Sequence, residues 1–296
     1  MGEFWHETDD GIRLRCRTEG PDSAPATVVL THGYAQASGC WHAQLDFLVA
    51  QGTRVLVWDL RGHGRSQRPD DASSCTIDRI ADDLAELVRD HCPGPVVLVG
   101  HSMGGMALMA LADRHPDLVR DRVRGVGLVA TSATGEGLGF LGVRRAAHLV
   151  QTVALPVFGA FARHQEAMLR LRRIGLPLEA PVMWASCCGL GTSWDDVRLT
   201  GQMGADAGFA TMTAFLPALS SHRRTQALAA YRGLPSLVLN GSWDLVVPPE
   251  ASDAIAHELP GCRRVVVPRA GHNVMMAGPE LVGEELRRLV TSASRA

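Results

Sequence analysis

The sequence predicts an α/β fold, a mostly parallel sheet wrapped by helices and interrupted once by a helical insertion. Three observations carry that prediction. Val- and Leu-rich runs at residues 27–30, 54–58, 96–99 and 123–129 are nearly continuous, as expected of parallel strands covered on both faces. Stretches of helical periodicity lie between them, so strand, helix and strand alternate as in right-handed crossover units. The rhythm then stops after Ser132 and resumes only with strand-like runs at residues 236–239 and 263–267.

At the N-terminus, residues 4–8 and 12–17 read as strands flanking Asp10-Gly11, a hairpin signal. The first clear helix has Thr76 as N-cap and places Ile77, Ile80, Leu84, Leu87 and Val88 on one face. A second starts at Met103, runs to Ala112 and stops before Pro116. From Gly135 to about Ser221 no strand pattern is found; Leu, Met, Phe and Ala recur between Gly175, Pro177, Pro181, Gly189, Gly191 and Pro217. A helix follows Pro249, and another closes the chain over residues 279–290. This division predicts a core of residues 1–132 and 222–296 with a helical cap inserted at 133–221.

The chain of 296 residues carries 29 basic side chains, all Arg, against 31 acidic ones, for a net charge of −2. No run of five like charges occurs, which argues against nucleic-acid or membrane-surface partners. No apolar stretch is long enough for a bilayer; the best, residues 153–162, is broken by Pro156. The acidic start has no secretory pattern, and His6 stands where a myristoylation site needs Ser or Thr, so a cytoplasmic location is expected. Seven cysteines, with Cys187 and Cys188 adjacent, fit free thiols better than disulfides or a zinc site. No metal and no cofactor are expected, and the oligomeric state is left open.

The chemistry is concentrated where strands end. Residues 96–99 run straight into Gly100-His101-Ser102-Met103-Gly104, with a helix beginning at once. A serine on so tight a turn needs small neighbours, and the turn pushes its hydroxyl into open space at the carboxyl edge of the sheet. A neutral serine needs a base, and the base needs an orienting group. His272 lies just past the strand at 263–267, and Asp244 just past that at 236–239, giving the chain order Ser102, Asp244, His272. Glu250 and Asp253, the competing acids, fall on the helix after Pro249. The backbone N–H groups of Met103 and Tyr34 are the candidate oxyanion donors. His6, His42, His115, His148, His164, His222 and His257 have no comparable placement and are read as packed or solvated side chains.

With these motifs in view, the sequence resembles the α/β-hydrolase superfamily, in particular its cap-bearing serine esterases and C–C hydrolase-like members. The matching segments are His32-Gly33-Tyr34 with Trp41 downstream, Trp58-Asp59-Leu60-Arg61-Gly62-His63-Gly64-Arg65-Ser66, the turn at Ser102, Asp244 before Pro248, and Gly271-His272. The resemblance implies an eight-stranded, mostly parallel sheet with its first pair antiparallel, flanked by helices and carrying an inserted helical cap. It also implies that the Asp59–Ser66 segment braces the site, with His63 structural. Members that use an aspartate nucleophile are set aside, since position 102 is Ser.

The implied activity is hydrolysis of a carboxylic ester of a medium-sized apolar or amphipathic small molecule through an acyl-enzyme. A thioesterase, lactonase, C–C bond hydrolase, perhydrolase or acyl-transferring enzyme would leave almost the same motifs, and a ligand receptor on the same scaffold is a further alternative. Trp184, Met212 and Phe215 are the candidate substrate-pocket residues. The cap is expected to gate access to Ser102 without helping to build the reacting centre.

Overall fold

A computed structural model describes residues 2–135 and 187–295. Eight strands form one sheet: β1 (Gly2–Glu7), β2 (Arg13–Glu19), β3 (Thr27–Thr31), β4 (Arg54–Trp58), β5 (Val96–His101), β6 (Val123–Val129), β7 (Ser236–Gly241) and β8 (Arg263–Val267). Their order is β1-β2-β4-β3-β5-β6-β7-β8. β1 pairs antiparallel with β2, and β2 antiparallel with β4; every later pair is parallel. The central strands β3 and β5 are buried along their whole length, which is why they read as unbroken apolar runs.

The helices are α1 (His42–Ala50), α2 (Ile77–His91), α3 (Met103–Arg114), α4 (Pro116–Arg122), α5 (Trp194–Ser221), α6 (Pro249–Glu258), α7 (Val274–Ala277) and α8 (Pro279–Ala293). The Thr76 side chain accepts the Arg79 N–H and caps α2 as expected. Pro116 does more than end α3: it opens α4, since a helix's first residue has no N–H partner to lose. α2 and α3 cover one face of the sheet with Ile80, Leu84, Met106 and Leu111, and α1 and α8 cover the other with Leu45, Leu48, Val282 and Leu286. No described helix is long and apolar enough to cross a membrane.

The two ends of the predicted insertion lie side by side. Gly135 N–H donates to His222 O at 2.7 Å and Arg224 N–H to Ala133 O at 2.9 Å. Of the insertion itself, residues 136–186, including Trp184, lie outside the described residues. α5 starts at the Ser193 cap, bends at Gly208 and delivers Phe215 and Leu219 into the same apolar cluster as α2 and α3.

Below the sheet edge, Arg61 is fully buried with two carboxylates. Its Nε and Nη2 donate to Asp83 at 2.7 and 2.6 Å, and Nη1 and Nη2 donate to Asp10 at 2.9 and 3.1 Å. Burial pushes the Asp83 carboxyl up, while the hydrogen bonds from Arg61 hold Asp10 well below the usual carboxylate range. Removing one partner of such a buried pair strands the other charge. Arg61→Met is therefore expected to lose about 3–5 kcal/mol of stability in chemical denaturation at neutral pH. An unpaired, buried Asp83 binds a proton more tightly folded than unfolded, so the variant recovers stability relative to wild type as pH falls toward the ordinary carboxylate value. A loss that stays constant with pH would contradict this assignment.

Candidate active site

The site is assembled from the carboxyl ends of β3, β5, β7 and β8. β5 leads through His101 into Ser102, whose backbone sits at φ 51° and ψ −116°, a conformation that costs a side-chain-bearing residue energy and survives only where its surroundings hold it. Those surroundings are visible. Ser102 N–H donates to Val129 O at 2.9 Å, and its carbonyl accepts Thr131 Oγ1 at 2.7 Å and Met106 N–H at 3.1 Å. A Cβ on Gly104 would lie 2.4 Å from Thr31 O, and one on Gly100 would lie 2.6 Å from the Gly104 carbonyl. Only glycine allows helix and strand to approach this closely.

The turn after β3 comes directly against the serine, since a Cβ on Gly33 would stand 3.0 Å from Ser102 Cβ and 2.7 Å from His101 Nδ1. His32 ties this turn to the Asp59 segment: its Nδ1 donates to Gly33 O at 2.8 Å, and its Nε2 accepts Leu60 N–H at 2.9 Å. Asp59 in turn accepts from Ser38 N–H at 2.7 Å and Arg65 N–H at 3.0 Å. Among the described residues, the backbone N–H groups of Met103 and Tyr34 have no acceptor. Two donors left open beside a serine at a helix start can receive a developing negative charge.

The loop after β7 presents Asp244. Its Oδ1 accepts Val246 N–H at 2.9 Å and Val247 N–H at 2.8 Å, a local turn that leaves Oδ2 for His272 Nδ1 at 2.9 Å. Both residues are buried. With its Nδ1–H donated to the carboxylate, His272 keeps an Nε2 lone pair able to accept a proton. Among the described residues, Asp244 and His272 are hydrogen-bonded to each other, and no hydrogen bond links Ser102 Oγ to either. Asp253 is engaged by Arg264 at 2.8 Å, and Glu250 lies in the first turn of α6.

Sequence reading missed the parts that hold His272 in place. His101 Nε2 donates to His272 O at 3.0 Å, and the two rings lie 4.7 Å apart. Burial, followed by the neighbouring His272, lowers the His101 pKa well below the ordinary imidazole value. Gln36 links both sides of the site: Oε1 accepts Gly33 N–H at 3.0 Å and stands 2.9 Å from His101 Nδ1, while Nε2 donates to Asn273 Oδ1 at 2.8 Å. The backbone of Cys187 and Cys188 runs beside the histidine loop, accepting Asn273 N–H at 2.7 Å and Gly271 N–H at 2.9 Å. Residues 187–188, within the stretch predicted as the cap, thus pair through their backbone with both residues that flank His272.

Two of the three candidate pocket residues can be placed. Met212 on α5 is half-buried, and its carbonyl accepts the Tyr34 hydroxyl at 2.8 Å. Phe215 is fully buried in the core, its ring 5.5 Å from that of His63, a placement that explains it as packing. His63 is buried as well; desolvation first, then His32, lowers its pKa to about 3, in keeping with a structural role.

A family model described as alpha/beta hydrolase fold matches residues 26–279. Over 308 positions the chain is 29% identical to a Bacillus subtilis (strain 168) protein provisionally named a 2-succinyl-6-hydroxy-2,4-cyclohexadiene-1-carboxylate synthase, covering 99% of this chain and 100% of that one. It is 27% identical over 276 positions to the pimeloyl-acyl-carrier-protein methyl ester esterase of Nitrosomonas europaea, covering 91% and 95% of the two chains. Among solved structures, a thermophilic esterase from Thermogutta terrifontis matches with a TM-score of 0.73 at 28% identity, over 99% of this chain and 100% of that one.

Proposed function

Because the chain belongs to the alpha/beta hydrolase fold family and is a hydrolase of esterase type, we propose that it cleaves a carboxylic ester of a medium-sized apolar or amphipathic small molecule, with Ser102 as nucleophile, His272 as general base and acid, and Asp244 as the group that orients His272. The observation that carries this reading is the 2.9 Å bond from His272 Nδ1 to Asp244 Oδ2, at the same sheet edge as a strained Ser102. Ester chemistry is supported by the esterase names of the Nitrosomonas and Thermogutta relatives.

In this reaction the Ser102 oxygen attacks the ester carbonyl as His272 Nε2 takes its proton. The carbonyl oxygen becomes an oxyanion between the Met103 and Tyr34 N–H groups. Asp244 stabilises the resulting imidazolium. Collapse breaks the bond to the alcohol, which leaves with the proton from His272, and the acyl group stays on Ser102. Water then attacks the acyl carbonyl, giving its proton to His272. The acid departs as that proton returns to the serine oxygen.

Residues 133–221 act in this reading as a helical cap over the acyl site. The paired ends at Ala133–Gly135 and His222–Arg224 support an insertion that leaves and re-enters the core at one place. Trp184 and Met212 are the proposed pocket contacts. A panel of p-nitrophenyl esters of short to medium acyl chains, thioesters, lactones and vinylogous diketones tests the proposal. Esters are expected to have the highest kcat/KM, and Met212→Ala is expected to shift the ranking of acyl lengths by about 10- to 200-fold, the scale of methylene discrimination in a pocket. Faster turnover of another class, or binding of a panel member without turnover, would redirect the assignment.

A further inference from the structure

Away from Ser102, one cluster of metal-ligating atoms stands where two elements meet. His6 lies near the end of β1, the edge strand of the sheet, and Asp90 and His91 close α2. His91 Nε2 is 3.2 Å from His6 Nδ1, and Asp90 Oδ2 is 3.9 Å from that same nitrogen. The three ligand atoms all lie within 4.8 Å of one another. Two nitrogens bound at ~2.0–2.1 Å to one tetrahedral ion stand about 3.3 Å apart, so the imidazole pair already has the needed spacing. Asp90 has an exposed side chain that can rotate over the remaining distance.

The surroundings favour a cation. His6 Nε2 is 3.2 Å from Glu86 Oε2, which is itself held by the Asp9 N–H at 3.1 Å. A proton donated from Nε2 to Glu86 leaves the Nδ1 lone pair facing His91, the arrangement in which a carboxylate orients a ligating histidine. The Phe4 ring, 4.5 Å from the His91 ring, fixes that ring from its other side. Among the described residues, Glu86 and Asp90 lie within 4 Å of a His6 ring nitrogen and are paired with no Arg. The nearby Asp9, Asp10, Asp82 and Asp83 are each paired with Arg.

We propose that His6, His91 and Asp90 bind one divalent transition-metal ion, Zn²⁺ being the best match, with Glu86 orienting His6 and water completing the coordination. Two imidazoles and one carboxylate suit zinc and its first-row neighbours, whereas Mg²⁺ and Ca²⁺ require oxygen donors. The ion staples the edge strand β1 to the end of α2. Sequence reading expected no metal because it looked for short ligand spacings; His6 and His91 are 85 positions apart and meet only through the fold.

The test uses untagged full-length protein stripped with a chelator and titrated calorimetrically with ZnCl₂ near neutral pH. Wild type is expected to bind one more zinc ion per chain than His91→Ala, with Glu86→Gln weakening that site by about 10- to 100-fold and MgCl₂ giving no saturable heat. Co²⁺ at the same site is expected to show the intense visible bands of a four-coordinate ion. If His91→Ala does not fold, Asp90→Asn carries the same comparison, because its side chain is exposed. Equal zinc stoichiometry and affinity in wild type and in the folded variant, or no zinc binding by wild type, would show that the two imidazoles share only a hydrogen bond and would overturn the proposal.

Discussion

Ser102→Ala is expected to remove ester turnover almost entirely, by about six orders of magnitude in kcat, the loss seen when a serine nucleophile is deleted from a triad that acts as a unit. The argument rests on position as much as on chemistry. Ser102 holds a backbone conformation at φ 51° that its neighbours secure through Val129, Thr131 and Met106. Nothing in that backbone network uses the hydroxyl, so alanine is expected to fold and melt like wild type. Retention of more than about a thousandth of the wild-type kcat in a well-folded Ser102→Ala protein would exceed what an oxyanion site and binding alone contribute and would point to another nucleophile.

The second large effect is expected at Asp244. Asn at this position can still accept the Val246 and Val247 N–H groups, so the turn survives. What changes is the bond to His272 Nδ1. An amide offers no full negative charge to the imidazolium and can turn its NH₂ toward the ring, which selects the tautomer with Nε2 protonated and unable to act as base. Turnover is expected to fall by about three to four orders of magnitude with KM little changed, by analogy with the same substitution in serine proteases. Glu250→Gln, in the first turn of α6, is expected to have little effect. Steady-state kinetics of the two variants side by side checks the assignment; equal losses would mean that the acid has been misplaced.

Much of this arrangement is legible in the sequence because strand ends are. The Val and Leu runs mark β3 to β6 closely, and Ser102, Asp244 and His272 each follow such a run, so the order of the chain already brings them to one edge of the sheet. α1 was not legible: Leu45, Phe47, Leu48 and Val49 do not form a single stripe, and the helix is read only once its partner α8 is in place. Pro116, which in the sequence marks the end of α3, is also the first residue of α4.

The supports of His272 were less visible still. Cys187 and Cys188 support the loop through their carbonyl oxygens, which any residue would supply, so no side-chain pattern marks them. Gln36 joins Gly33, His101 and Asn273, positions that are distant in the chain and carry no shared motif. Phe215 shows the converse. An apolar residue in a predicted cap reads as a pocket wall, yet α5 turns it inward against His63.

The most direct measurement is intact-protein and peptide mass spectrometry after reaction with a small fluorophosphonate, a reagent that captures an activated serine. Wild type is expected to gain a single adduct, on the peptide containing Ser102, with slower labelling in Asp244→Asn and none in Ser102→Ala. An adduct on any other residue of the folded wild-type protein, or undiminished labelling of Ser102→Ala, would contradict the assignment of Ser102 as the nucleophile that His272 and Asp244 serve.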